Sequence, residues 1–290
     1  MKQSFYLAYK YLSFHRFRTL VLIAAVGLII FLPIGLQRLI TESEMQMMTR
    51  AEAFPIIIGA KGSSTDLVIN AIYFQQQEMD QLNMEAGKIL DNTELGYTIP
   101  LLTMFTARNF PIVGTNLDYF EFRNLSIAEG RNLQFVGECV IGSKVSEELG
   151  LKPGDSLISS PENYFDMAGI YPLKMNIVGV LEESGSVEDN AIFTDLKTNW
   201  IIMGLGHGHE DVLKLDDPTL IINNDSGNVK TTAKLFIYNE IDGENMESFH
   251  FHGDIDSYPV SAFIFVPDDA RSATILRGRF ESGALPNQAI

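Results

Sequence analysis

Charge disappears from the chain between Arg18 and Arg38, where 19 consecutive residues, TLVLIAAVGLIIFLPIGLQ, carry none. Wound as a helix, such a run crosses a bilayer core of roughly 30 Å. Pro33 lies inside it and is better tolerated in a membrane helix than in a soluble one. A buried helix of a soluble protein usually has only about 10–14 such residues. The pattern therefore predicts one transmembrane helix over residues 19–40. Before it, six aromatics lie between Phe5 and Phe17, and Leu7, Tyr11 and Phe14 share helical spacing. Mixed with Lys2, Lys10, Arg16 and Arg18, they read as an interfacial segment over residues 1–18. Periodicity alone allows an unstructured basic flank equally well. After the span, Arg38–Ala53 has good helix formers and neither Gly nor Pro, which predicts a helical stalk over 41–54. Ile40, Met47, Met48 and Ala51 form a stripe on it suited to packing against a neighbouring helix.

The pattern then shortens. Pro55–Ala60 is a β-branched run and predicts a buried strand. A helix over Thr65–Phe74, capped by Ser63 or Ser64, a second helix from Gln76 to about Asp91, and strands at Tyr97–Thr106 and Phe110–Gly114 should follow. This order suggests an α+β unit. From residue 116 the character is mostly β. Strands are expected at Cys139–Gly142, Ser156–Ser159, Leu173–Leu181 and Asn190–Phe193, with short helices over Ser143–Gly150 and Asp195–Met203. Gly150 suits a helix C-terminus, and Leu151–Asp155 a tight turn. The last segment returns to strands at Ala233–Ile241 and Ser261–Val266, then a helix behind an Asp268 or Asp269 cap. Residues from Gly283 onward read as a frayed end.

Charge gives the span a direction. The whole chain has 21 basic and 37 acidic residues, yet its first 40 hold five basic and no acidic ones. Lys and Arg keep a flank in the cytoplasm, so the N-terminus is expected inside and the bulk outside. A cleaved leader would want a small-x-small site directly after the apolar run, and Gln37-Arg38-Leu39-Ile40 stands there instead. The acidic remainder excludes a nucleic-acid partner, which needs a basic surface. Cys139 is the single cysteine, so no internal disulfide exists. Its apolar neighbours Val140 and Ile141 predict a buried, inert thiol.

Few residues suggest site chemistry. Gly59-Ala60-Lys61-Gly62-Ser63 lacks the spacing of a phosphate loop, and no G-x-S-x-G, H-E-x-x-H or paired-cysteine motif is present. No catalytic residue is assigned, and no cofactor is expected apart from a possible zinc. Four of five histidines come as two H-x-H pairs, His207 with His209 and His250 with His252. In an extended segment, positions i and i+2 share a face, so each pair can offer two imidazoles to zinc or copper. Glu210, Asp211 or Asp254 could add an oxygen. Solvated histidines in two Gly-rich loops would give the same pattern, and nothing in the sequence brings the pairs together. Phe251, between His250 and His252, should face the other way into a core.

Five strings carry a resemblance: Ile57-Ile58-Gly59-Ala60-Lys61-Gly62-Ser63, Val140-Ile141-Gly142, Leu149-Gly150-Leu151-Lys152-Pro153-Gly154-Asp155, Ile177–Leu181 and Asp189–Phe193. In this order after one span, the chain resembles the extracytoplasmic core domain of ABC-transporter permeases of the MacB, LolC/LolE and FtsX type. The resemblance implies a porter-like α+β part over 55–115 and 232–290 with an inserted mostly-β part over 116–231. The fold class expected is thus an α+β extracytoplasmic domain on a single N-terminal transmembrane helix. It also implies a bacterial inner (plasma) membrane location, homo- or heterodimeric pairing of permeases, a cytoplasmic ABC ATPase partner and a periplasmic client protein. The permease would pass ATP-driven motion to its outer domain for export or for lipoprotein or peptide extraction, without being an enzyme. The alternative is a bitopic metal-binding protein for periplasmic metal handling. Such permeases carry three more spans, whereas no second apolar run precedes Ile290. The expectation is a piece of a longer permease or a reduced form of one.

Overall fold

The computed structural model describes residues 2–160, 172–207, 221–225, 228–231, 239–241 and 249–290. Two compact units divide the chain, Met1–Ala53 and Phe54–Ile290. The first contains α1 (Lys2–Phe14) and α2 (Arg16–Glu52). Thr19 Oγ1 donates to the carbonyls of Leu12, 2.9 Å, and His15, 3.1 Å, tying the two helices across His15. The basic flank is therefore helical. The span and the expected stalk form one uninterrupted 37-residue helix with Pro33 inside it.

The second unit runs β1 (Ile56–Gly59), α3 (Ser64–Tyr73), β2 (Leu82–Asn83), α4 (Met84–Asp91), β3 (Gly96–Ala107), β4 (Phe110–Thr115), α5 (Leu117–Phe122), β5 (Ile127–Gly130), β6 (Glu138–Ile141), α6 (Ser143–Leu149) and β7 (Ser156–Ile158). It continues with β8 (Leu173–Leu181), β9 (Ile192–Asp195), α7 (Leu196–Ile202), β10 (Gly206–His207), β11 (Ile221–Asp225), β12 (Asn228–Thr231) and β13 (Asn239–Glu240). The last elements are β14 (His250–Phe251), β15 (Pro259–Val260), β16 (Ala262–Pro267), α8 (Ala270–Glu281) and β17 (Gln288–Ala289). One mixed sheet runs β13-β8-β6-β9-β4-β3-β16-β1-β17, with β5 and β7 also on β8.

Side-chain caps set the helix starts. Ser63 caps α3 by accepting from the Asp66 amide, Asp195 caps α7 through Lys197, and Asp269 caps α8 through Ser272. Gly150 closes α6 at φ 67°, a left-handed conformation that glycine adopts without cost. The helix expected from Gln76 is shorter. Phe74 ends α3 at φ 56°, and the chain does not become helical again until Asn83 accepts from the Ala86 amide. Pairing of Leu82 and Asn83 with Val260 and Pro259 holds the approach extended. The strand expected at Asn190–Phe193 likewise starts two residues late, because Val187–Asn190 forms a 3-10 turn. Of the strand expected at Ala233–Ile241, residues 233–238 lie outside the described residues, and Asn239–Glu240 pairs with β8 in parallel.

The C-terminus is not frayed. Ala289 pairs with Ile58, and the Ile57 and Ile290 backbones exchange two hydrogen bonds of 2.9 Å. All four residues of β1 are buried, so its backbone needs a partner on each edge. β16 supplies one and the chain end the other.

Two apolar clusters fill the unit. One gathers Ile56, Ile58, Leu90, Trp200, Tyr258, Phe263, Phe265 and Leu276 under α4 and α8. The other gathers Ile112, Cys139, Ile141, Val145, Met175, Ile177 and Ile201 around β6 and β8. β3 serves both. Its residues Gly96–Leu101 pair with β16, and its second half pairs with β4 across an irregularity at Leu102/Phe105. Cys139 is wholly buried, and desolvation pushes its thiol far above the ordinary range, as an inert cysteine requires.

Glu138 opens β6 with a carboxylate 10% exposed, bound by the Arg131 guanidinium through both of its oxygens. Burial opposes its ionisation. The hydrogen bonds from Arg131 and from the Gln134 and Phe135 amides outweigh that and hold the carboxyl below its usual range. A lowered folded-state value means stability that is complete above the unfolded-state value and lost as pH falls through the folded one. Glu138→Gln should therefore cost about 1 kcal/mol at neutral pH, the low side for charged hydrogen bonds because Arg131 is 41% exposed. The gap from wild type should close as pH falls below about 4, read by thermal unfolding followed through Trp200. Deleting Gln288–Ile290 should cost about 2 kcal/mol for the two lost β1 hydrogen bonds. It should also speed hydrogen exchange at the Ile57 amide more than at the Ile264 amide on β16.

Candidate functional site

In the N-terminal unit the candidate is α2 itself. At about 1.5 Å per residue its 37 residues span about 55 Å, well beyond a bilayer core. Residues Arg16–Met45 meet the length and composition of a membrane span, and the apolar side chains Leu20, Ile23, Ile29, Phe31 and Ile34 are exposed all round. Exposure on every side is what a lipid-facing helix shows. At the end of the run Arg38 pairs with Glu42 one turn on, at 3.5 Å.

The histidines are brought together in part. β10 and β14 form a two-stranded antiparallel ladder in which His207 is the partner of His250 and Gly206 of Phe251. The His250 and His252 rings stand 4.7 Å apart, centre to centre, nearly at right angles. His250 is half-buried and His252 exposed. Phe251 faces inward as expected, against Trp200 and Tyr258, and it touches both apolar clusters. Tyr258 Oη donates to the carbonyls of His252, 2.9 Å, and Leu205, 3.2 Å, fixing both strands of the ladder to one ring. A Cβ on Gly206 would lie 2.6 Å from the Phe251 ring. That position therefore belongs to the core face. His209, Glu210 and Asp211 lie outside the described residues. The Asp254 carboxylate accepts from the Asp256 amide at 3.0 Å, which occupies part of its capacity. Among the described side chains no three His, Cys, Asp or Glu stand close enough to hold a metal; that of His207 is not one of them.

Two open grooves flank the first cluster. One, of about 550 Å³, lies between α4, the end of α8 and Pro259, lined by Glu85, Ile89, Leu90, Phe280 and Leu285. The other, of about 560 Å³, lies at the Lys61–Ser63 loop beside Asp66, Glu78 and Asp80. The second is no phosphate cradle, since three carboxylates line it and Ser63 Oγ already takes the Asp66 amide. Sequence reasoning missed the buried carboxylates Glu188 and Asp189, in a stretch that reads as solvated. Glu188 Oε1 accepts from Tyr119 Oη at 3.0 Å and from Arg123 Nε at 2.9 Å, and Asp189 gathers the Ser184 and Gly185 amides. Both are satisfied by their own turn and by α5, which is a structural arrangement. Repeated serines at 184 and 186, ahead of the acids, were the only signal.

The profile of the MacB-like periplasmic core domain matches residues 22–230. No curated protein sequence matches the chain. Among solved structures, the chain is similar to the periplasmic region of MacB from Actinobacillus actinomycetemcomitans, at 10% identity and a TM-score of 0.44, covering 82% of this chain and 90% of that one. It is also similar to the extracellular domain of the noncanonic ABC-type transporter YknZ from Gram-positive bacteria, at 12% identity and a TM-score of 0.43, covering 81% and 98%. With the matched residues taking in most of the span and the larger part of the sheet, the chain belongs to the MacB-like periplasmic core domain family.

Proposed function

We propose that this chain is a membrane-anchored, permease-type subunit of an ABC-transporter complex, whose outer unit moves or recruits a client outside the membrane. The observation that carries the reading is α2. One helix continues from the lipid-facing run to Glu52, with three residues between it and β1. A continuous helix transmits axial displacement without the compliance of a loop, and β1 is buried and paired on both edges, so it resists being pulled alone. Family membership supports a cytoplasmic ATPase as the source of that displacement. Export, or extraction of a lipoprotein or peptide, is the work that such motion would serve.

The four basic and no acidic residues before the span support a cytoplasmic N-terminus, with Phe54–Ile290 on the outer face of the inner membrane. Pairing with a second permease, identical or related, supplies lateral partners for the exposed apolar faces of α2. The porter-like part over 55–115 and 232–290 and the inserted part over 116–231 form our reading of the outer unit. No residue is assigned a catalytic role. Here the protein's chemistry is binding and movement.

Affinity isolation of the full chain from its own membranes, in mild detergent, tests this. The expected eluate contains an ATP-hydrolysing cytoplasmic subunit and more than one copy of the permease. In intact cells, a Cys139→Ser background should leave Ser4→Cys protected from an impermeant maleimide and Glu183→Cys labelled. An isolated chain without any ATPase would overturn the assignment, and the reverse labelling would overturn the orientation.

A further inference from the structure

We propose that the crevice at the carboxyl ends of β4 and β9 binds the α-ammonium group of a ligand with an apolar side chain, either a free amino acid or the first residue of a peptide. Topology opens the crevice. β4 and β9 are adjacent and parallel, with Thr115 the partner of Asp195 at their ends. Phe193 meets Tyr119 and Phe120 of α5, while the next residue, Thr194, accepts a hydrogen bond from Asn199 of α7 at 2.7 Å. Consecutive strand residues face opposite ways, so the helices that follow the two strands pack on opposite faces of the sheet. Ligands of open α/β sheets bind outside the carboxyl ends of the strands at such a point. A crevice of about 220 Å³ lies there, lined by Asn116, Leu117, Leu133, Phe135, Asp195 and Lys197.

The polar groups in it suit a cationic donor. Asp195 is half-buried, and its carboxylate accepts one hydrogen bond, from the Lys197 amide at 2.7 Å. Burial pushes this carboxyl above its usual range, and the Lys197 amide and charge offset only part of that. An ammonium group brought within about 4–6 Å would favour the charged form again. Asn116 Nδ2 donates to Asp118 at 2.7 Å, whereas Asn116 Oδ1 is buried and has no hydrogen-bond partner among the described residues. A buried acceptor left so is costly, and a small rotation of the side chain would offer it to an incoming donor.

The rim is apolar. Leu117 and Phe135, 53% and 51% exposed, are the most exposed large apolar side chains described in the larger unit, and both line this crevice. A ligand side chain laid against them would remove that surface from water. The volume falls below the roughly 300 Å³ at which drug-sized sites begin, so it suits a single residue. Lys197 also lines the crevice, which gives a free amino acid a partner for its carboxylate. The first residue of a peptide lacks that charge and would use Asp195 and Asn116 alone. The inference stands on this crevice and does not depend on an ATPase partner.

The test is calorimetric titration of leucine, leucinamide and N-acetylleucine into the full chain in detergent, with Trp200 fluorescence verifying that each variant is folded. Leucine, leucinamide or both should bind, one per chain, with a dissociation constant below about 1 mM. N-acetylleucine, which has no ammonium group, should not bind. Asp195→Asn should weaken binding at least about tenfold while keeping α7 capped, since asparagine caps as well as aspartate. If that variant does not fold, Asp195→Ser, which also caps, takes its place. Asn116→Ala and Phe135→Ala should each weaken binding severalfold, and Glu85→Gln, in the groove beside α4, should leave it unchanged. A free amino acid as the ligand predicts that Lys197→Ala weakens leucine binding and that leucinamide binds less well than leucine. A peptide end predicts equal binding of the two, with neither affected by Lys197→Ala. No binding of leucine or leucinamide, equal binding of N-acetylleucine, or affinity indifferent to the Asp195 substitution would each overturn the site.

Discussion

A buried strand must have its backbone paired on both edges, and much of the larger unit follows from meeting that demand for β1. Its four residues are buried, and Ile56 and Ile58 reach into the cluster under α4 and α8. On one edge it takes β16, more than 200 residues later in the chain, and on the other the final residues before the C-terminus. β16 in turn needs β3, whose six-residue register from Ala262↔Leu101 to Pro267↔Gly96 is among the longest in the sheet. The chain must therefore close on itself before its first strand is satisfied. Contacts of such separation cost loop-closure entropy first and reward it only once the ladders zip together.

β3 then distributes that constraint. Its second half turns to β4, and through β9 and β6 to β8, which has neighbours along both edges. The irregularity at Leu102/Phe105 falls where the strand passes from one cluster to the other. Trp200 and Phe251 fill the space between them, with Trp200 Nε1 donating to the Pro259 carbonyl at 2.9 Å.

Polar chemistry in the unit is mostly spent on architecture. Glu138, Glu188 and Asp189 are buried, and each is satisfied by a neighbouring cation or by turn amides. Buried carboxylates with complete partners lock loops in place and are not free to act on a substrate.

Local features were legible from residues alone. The uncharged run from Thr19 to Gln37 determined α2, because lipid and length leave few other solutions, and Ser63, Asp195 and Asp269 announced helix starts through their own side chains. Leu173–Leu181 showed its strand by composition, and Cys139 its burial by its neighbours. Three things were settled only in the tertiary structure. Gln76–Gln81 stays non-helical because Leu82 and Asn83 are held by Pro259 and Val260, partners far away in sequence. Gln288–Ala289 becomes a strand because β1 has an open edge, although the segment's own polar composition reads as an end that frays. The two histidine motifs are loops in the sequence, and only the β10–β14 register sets His207 opposite His250. Periodicity and caps act within a few residues, so a chain can display them in isolation. A backbone group's partner across a sheet is chosen by closure of the whole fold, and no local pattern encodes it.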